Sequence, residues 1–299
     1  MDLLSDFVSH LASTRPADNG TTRTYRWAAS TLLEYLQSAD PKEMDAAKLQ
    51  AFVTSLTVRG LSPRSVRTAV RGSKAFLAWC GVQVDLSRLD LPKIQEESPA
   101  HLDRGGIEAY LAKAADLTAD PHRTVLLLLP LTGCRVRELC TAPIAGVAKD
   151  GQAIVLCVRR KGRRLSLDEI AGFTTHECQR KMARVGLSDR AGRLLIEYLL
   201  RYRRSVNGSP WLFPGSRGPI STDSVRKALY EVRKSLNLPW LTTHRAGRHS
   251  LAMLLRSEGV PLDKIADALG HKNLDTTRTH YAQASAVEVA ALTTKAQKT

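Results

Sequence analysis

The chain has 299 residues, room for one or two domains, and 43% of them are apolar, enough to bury a real core. Aromatics are only 5%, so that core is expected to be largely aliphatic. Lys and Arg number 44 against 29 Asp and Glu, a net charge of +15 that points to a polyanionic partner, nucleic acid foremost.

The five cysteines (80, 134, 140, 157 and 178) form no C-x-x-C pair, which speaks for reduced core residues rather than a disulfide frame or a zinc site. The longest apolar run, Val125 to Leu131, is far too short to span a bilayer. The opening residues, "MDLLSDFVSH", lack a basic leader, so no signal peptide is expected and a cytoplasmic, nucleoid-associated location is.

In chain order, helical periodicity comes first. Residues 22–37 read as a helix with Trp27, Leu32, Leu33 and Leu36 inward. Residues 45–57 read as another, with Leu49, Phe52, Val53 and Leu56 on one face. In "LSPRSVRTAVRGSKAFLAWCG", Ser62 suits an N-cap, Pro63 the first helical position and Gly81 the stop. Arg64, Arg67, Arg71 and Lys74 fall along one stripe of that helix, opposite Val66, Ala69, Val70, Phe76 and Leu77. No acid interrupts the stripe, which favours contact with DNA phosphates over an ordinary solvated face.

"LDLPKIQEESPAHLDRGG" has two prolines, mixed charge and weak periodicity, the marks of a linker. It divides the chain into residues 1–97 and 103–299, joined by 98–102.

The second part opens with helices. "QAIVLCV", residues 152–158, reads as a strand, and "RRKGRR" as a basic hairpin tip followed by "LSL". "RKMARVGL" is a second candidate for the returning strand. Helices follow at 193–202, 221–236, 249–258 and 262–269. The fold class is therefore mainly α with a small antiparallel β-sheet.

Four motifs in this part can carry chemistry. "LTGCRVREL" sets Arg135 and Glu138 three residues apart, on one helix face, where the carboxylate can orient the guanidinium. "VRRKGRR" places Arg160, Lys161 and Arg163 at the tip of a hairpin. "HRAGRHS" supplies His244, Arg245, Arg248 and His249, and "LGHKN" supplies His271. Tyr281 ends the series. Arginines bind the non-bridging oxygens of a phosphodiester by forked, permanently charged hydrogen bonds. A lysine among other cations can donate a proton to a leaving alkoxide, and a tyrosine can attack phosphorus. No acidic cluster of metal-ligand character accompanies them, so neither a metal nor any other cofactor is expected.

The order "LTGCRVREL", "RRKGRR", "RHSLAMLLRSEGVPLDKIADALGHKNLDTTRTHYAQ" resembles the tyrosine recombinase (phage integrase, Xer-like) family, in its compact two-domain form. "GLSPRSVRTAVRGSKAFLAW" is similar to part of that family's core-binding domain. The resemblance implies an N-terminal helical, SAM-like core-DNA-binding domain and a C-terminal catalytic domain. It implies Arg135 and Arg248 as the two phosphate arginines, Glu138 as their acidic support and Lys161 as the mobile general acid. It implies His271 hydrogen-bonded to the phosphate or to the nucleophile, and Tyr281 as that nucleophile. It also implies strand exchange between double-stranded recombination sites through a 3′-phosphotyrosyl link, by four protomers that associate weakly off DNA.

Three departures accompany it. The family's histidine, three residues before the second arginine, is here Arg245, with His244 one residue earlier. The family's nucleophile lies nine residues after the Leu-Gly-His histidine; that slot is His280 here, and Tyr281 follows it. An extra residue within 272–279 reconciles the count. The segment after the hairpin tip is long, which leaves Lys181 as a second candidate for the general acid. An inactive DNA-binding accessory protein of the same fold, or a type IB topoisomerase-like enzyme, stand as alternatives.

Overall fold

The computed structural model describes residues 2–14, 20–37, 40–94, 100–160, 165–203 and 208–270. The chain divides into two compact units, Met1–Glu97 and Ser98–Thr299.

Among the described residues, the first unit has four α-helices: α1 Leu3–Thr14, α2 Gly20–Leu36, α3 Ala46–Val58 and α4 Pro63–Trp79. Asp45 caps α3 by accepting the Lys48 N–H at 2.7 Å, and Ser62 caps α4 by accepting that of Ser65 at 3.3 Å. α2 and α4 cross where Ala28 meets Gly72, at a spacing too close for a Cβ on residue 72. That crossing corrects one of the four inward positions expected on α2, Trp27; Leu32 is buried, and Leu33 and Leu36 pack against the core as expected. Ala28, Ala29, Thr31 and Leu32 are buried, while Trp27 stands 40% exposed, because only small side chains fit against Gly72 and Ser73. α4 follows its expected pattern: Val66, Ala69, Val70, Phe76 and Leu77 are buried. Phe76 meets Phe7 of α1 edge-on, with ring centres 5.2 Å apart.

Arg64, Arg71 and Lys74 lie exposed on the other side of α4. Arg67 does not join them fully. Its Nε donates to Pro92 O at 3.0 Å and Nη2 to Leu91 O at 3.5 Å, so it ties down the segment that follows the helix.

The second unit begins with α5 Arg104–Leu117, α6 His122–Thr132 and α7 Val136–Cys140. Its core gathers around α6, whose residues 124–130 are all buried. A helix apolar all round is stable only when wrapped on every side. Strands β1 Val147–Asp150, β2 Ala153–Val158 and β3 Ala183–Gly186 form one antiparallel sheet with β2 central. Val147 lies opposite Leu156, and Val155 opposite Gly186.

The strand partner of β2 is therefore within "RKMARVGL", and "LSL" is not a strand. Ser166 instead caps α8 Leu167–Ala171, and Thr174 caps α9 Thr175–Lys181. Both helices begin with a capping box, Ser166 with Glu169 and Thr174 with Glu177. They close over a small core of Cys157, Ile170, Cys178, Met182 and Trp211.

Helix α10, Asp189–Arg201, starts four residues earlier than expected, because Ser188 caps it and Asp189 opens its first turn. A two-residue ribbon, β4 Pro214–Gly215 with β5 Gly218–Pro219, precedes α11 Thr222–Ser235. A π turn over Arg245–His249 leads into α12 Ser250–Ser257, and α13 Leu262–Leu269 ends at the left-handed Gly270. Four of the five cysteines are buried, Cys80 is half-buried, and none is in a disulfide. Among the described residues, no helix is long and apolar enough to cross a membrane.

Candidate active site

Helix α6 stops at Gly133, in the left-handed conformation (φ 63°) that glycine adopts without strain. Space demands glycine as well, since a Cβ would come within 2.7 Å of a Leu269 methyl and 3.0 Å of a Leu251 methyl. The chain then turns into α7, with Arg135 as its N-cap and Glu138 in its first turn. The Glu138 carboxylate accepts the Arg135 backbone N–H at 2.8 Å and its Nη1 at 2.7 Å. Three-residue spacing thus becomes a clamp that holds one face of the guanidinium. The Glu138 side chain is 4% exposed and that of Arg135 37%, so the arginine's other donors face outward.

Arg248 reaches the same place from the π turn. That turn packs on α6 so closely that a Cβ on Gly247 would lie 3.0 Å from Leu129 O. A π turn carries one residue more per turn than an α-helix, which re-aims the side chains on it. Arg248 is 1% exposed. Its Nη1 donates to Gly133 O at 3.3 Å, its Nη2 donates to Leu269 O, and Nη1 lies 3.7 Å from Glu138 Oε2. Burial, and then the Arg135 guanidinium, draw its pKa down to about 10, with Arg160 pressing the same way and Glu138 opposing. It stays charged at neutral pH.

Arg160, just after β2, donates Nη2 to Ala268 O at 3.4 Å. The first arginine of that basic run turns elsewhere: Arg159 donates Nη1 to Leu165 O at 2.6 Å, and burial followed by the Arg137 charge lowers its pKa. Arg135, Glu138, Arg160 and Arg248 therefore come together, three guanidinium groups to one carboxylate. This is an anion-binding arrangement.

His244 is exposed and Arg245 half-buried. Arg245 donates Nη1 to Trp240 O at 3.2 Å, and its guanidinium lies 6.0 Å from the centre of the Trp240 ring. Lys181 ends α9, with Nζ 3.0 Å from Glu177 Oε1 and over the Phe173 ring. Lys161, Arg163, His271, His280 and Tyr281 lie outside the described residues.

Two residues of "HRAGRHS" turn out to support the site without a role having been assigned to them. Ser250 donates Oγ to Arg245 O at 2.6 Å and accepts the Leu102 N–H at 2.8 Å, pinning the π turn to the chain ahead of α5. His249 is buried with its ring edge-on to His101, 5.8 Å between centres. Their only sequence signal is their place beside Arg248.

Residues 106–288 match the model of the phage integrase family. Tyrosine recombinase XerA of Pyrococcus horikoshii is 26% identical over 281 residues, 93% of this chain and 87% of that protein. Tyrosine recombinase XerD of Caulobacter vibrioides is 26% identical over 292 residues, 92% of this chain and 90% of that one. Among solved structures, the Tn1549 transposon integrase in complex with a circular intermediate DNA superposes with a TM-score of 0.71 at 18% identity, covering 98% of both chains. The chain belongs to the phage integrase family and is a tyrosine-type recombinase. The comparisons favour neither an inactive accessory protein nor a topoisomerase-like enzyme.

Proposed function

We propose that the chain cuts and rejoins double-stranded DNA at specific sites through a covalent 3′-phosphotyrosyl intermediate on Tyr281. The clamp of Arg135, Glu138 and Arg248 carries this reading, because it fixes positive charge in place with the Arg135 guanidinium partly exposed. A phosphodiester under attack gathers negative charge on its non-bridging oxygens. Donors already fixed in place stabilise that charge without reorganising.

In this mechanism Tyr281 gives its phenolic proton to solvent, its oxygen bonds to phosphorus, and the bond from phosphorus to the 5′-oxygen breaks. Lys161 delivers its proton to the leaving oxygen, and His271 hydrogen-bonds the phosphate. The 5′-hydroxyl of a partner strand then attacks the phosphotyrosyl bond and restores Tyr281. The bond energy stays in the covalent link, so no nucleotide hydrolysis is called for. Arg64, Arg71 and Lys74 of α4 contact the DNA backbone from the first unit, with Arg163 near the second. Two sites are exchanged by four protomers, which associate weakly away from DNA. DNA-bound structures of other recombinases support the choice of partner, among them a XerH recombinase on its difH substrate (TM-score 0.65, 20% identity, 90% of this chain and 78% of that one).

The test begins with a random duplex library nicked to trap cleavage. Covalent protein–DNA adducts are captured and sequenced to recover the target. On that duplex the wild-type chain forms a protease-sensitive adduct and Tyr281→Phe does not. A wild-type chain that forms none on any duplex would leave only the DNA-binding accessory reading.

A further inference from the structure

One guanidinium in the anion site has no part in the mechanism above. Arg160 follows β2 and precedes Lys161, yet its side chain crosses to the end of α13. There it ends beside Gly270, whose backbone is left-handed (φ 64°).

Nη2 has an acceptor in Ala268 O, but Nε is buried with no hydrogen-bond partner among the described residues. Buried guanidinium donors are almost always satisfied, so an exception calls for an acceptor that arrives with a ligand. The surroundings say what kind. Arg160 is close enough to Arg248 to oppose its charge, and Glu138 is the single acid among the three arginines within the described residues. Two positive charges are left over, and the matching acceptor is an anionic oxygen. The carbonyl ends of α13 near Gly270 are already taken up by Arg248 at Leu269 O and Arg160 at Ala268 O. Nε is therefore a buried donor that these carbonyls leave without an acceptor.

We propose that Arg160 is a third phosphate-binding arginine, whose Nε–H donates to a non-bridging oxygen of the scissile phosphodiester held beside the Gly270 turn. The assignment rests on the DNA-cleavage reading above. It makes Arg160 a catalytic residue, in contact with the reacting group, and not merely part of a basic surface. A lysine at this position would keep the charge but lose the Nε–H and the fork that holds Ala268 O.

A charge-removal cycle on the full-length chain tests it. The duplex recovered by adduct capture is made with its natural scissile phosphodiester and again with a neutral methylphosphonate at that position. Binding of both is measured for Tyr281→Phe and for Tyr281→Phe with Arg160→Ala, alongside single-turnover cleavage by Arg160→Ala and Arg160→Lys. Arg160→Ala weakens binding of the phosphodiester about 10-fold more than that of the methylphosphonate. It slows adduct formation on the phosphodiester by about 10- to 100-fold, with Arg160→Lys between it and wild type.

Equal weakening of both duplexes, within about twofold, would overturn the assignment, since a packing defect or a distant phosphate contact does not sense this one charge. If Arg160→Ala melts early, the same cycle with Arg160→Lys decides. Failure confined to Arg160, with wild-type adduct intact, leaves the recombinase reading standing. A wild type that forms no adduct on any duplex removes both.

Discussion

Glu138 and Arg248 meet inside the second unit, 3.7 Å apart, with side-chain exposures of 4% and 1%. The acid also takes two hydrogen bonds from Arg135, so one carboxylate serves both guanidinium groups. Truncating it leaves a buried arginine beside another with no counter-charge. Glu138→Ala is expected to lose about 3–5 kcal/mol of folding stability. Glu138→Gln, which keeps an acceptor oxygen, should lose less. Denaturant midpoints measure both, and an Ala variant as stable as wild type contradicts the clamp.

The stripe on α4 separates into two kinds of cation. Arg64, Arg71 and Lys74 are exposed, whereas Arg67 is held by Pro92 O and Leu91 O. Removing one cation that neutralises a phosphate should flatten the plot of log affinity against log salt by about 0.9. The triple change Arg64→Ala, Arg71→Ala and Lys74→Ala therefore flattens it nearly three times as much. Arg67→Ala leaves the slope almost intact and lowers the melting temperature instead. An unchanged slope in the triple variant rules out α4 as a phosphate-binding face.

The α8–α9 segment makes a pH prediction. The Thr174 backbone N–H, then Lys181, then the Thr174 hydroxyl draw the Glu177 carboxyl down to about 2. A carboxyl whose folded pKa lies below its ordinary 4.5 supports the fold above the ordinary range. That support is lost as pH falls from there through about 2. The carboxyl carbon of Glu177, followed by NMR, should titrate near 2. A midpoint at 4.5 means the cap is not formed.

The two candidates for the family's histidine position respond differently. Arg245 is half-buried against Trp240, while His244 is exposed. If Arg245 fills the position, Arg245→His keeps cleavage within about tenfold and Arg245→Ala loses about 10- to 100-fold. His244→Ala then stays near wild type. The reverse ranking assigns the role to His244.

Much of the fold was legible because periodicity and caps are local. Leu49, Phe52, Val53 and Leu56 face inward on α3 as their spacing requires, and Ser62 and Pro63 open α4. The misses arise where packing decides. Trp27 yields the inward face of α2 to alanines because α4 brings Gly72 against it. The tie from Arg67 depends on a chain segment twenty-five residues on. The helices between β2 and β3 did carry a local sign, two capping boxes at Ser166 and Thr174, hidden within a stretch read as a hairpin return. In the site, the Arg135–Glu138 spacing was readable as a pair. The approach of Arg248 was not, because it needs Gly247 pressed on α6 and the carbonyl of Gly133 turned to meet it.

The most direct measurement is adduct formation on a nicked duplex bearing the chain's own site, scored for wild type, Tyr281→Phe and His280→Ala. Wild type and His280→Ala should both become covalently attached to the 3′-phosphate, and Tyr281→Phe should not. An adduct that survives in Tyr281→Phe and disappears in His280→Ala would contradict the assignment of Tyr281 as nucleophile.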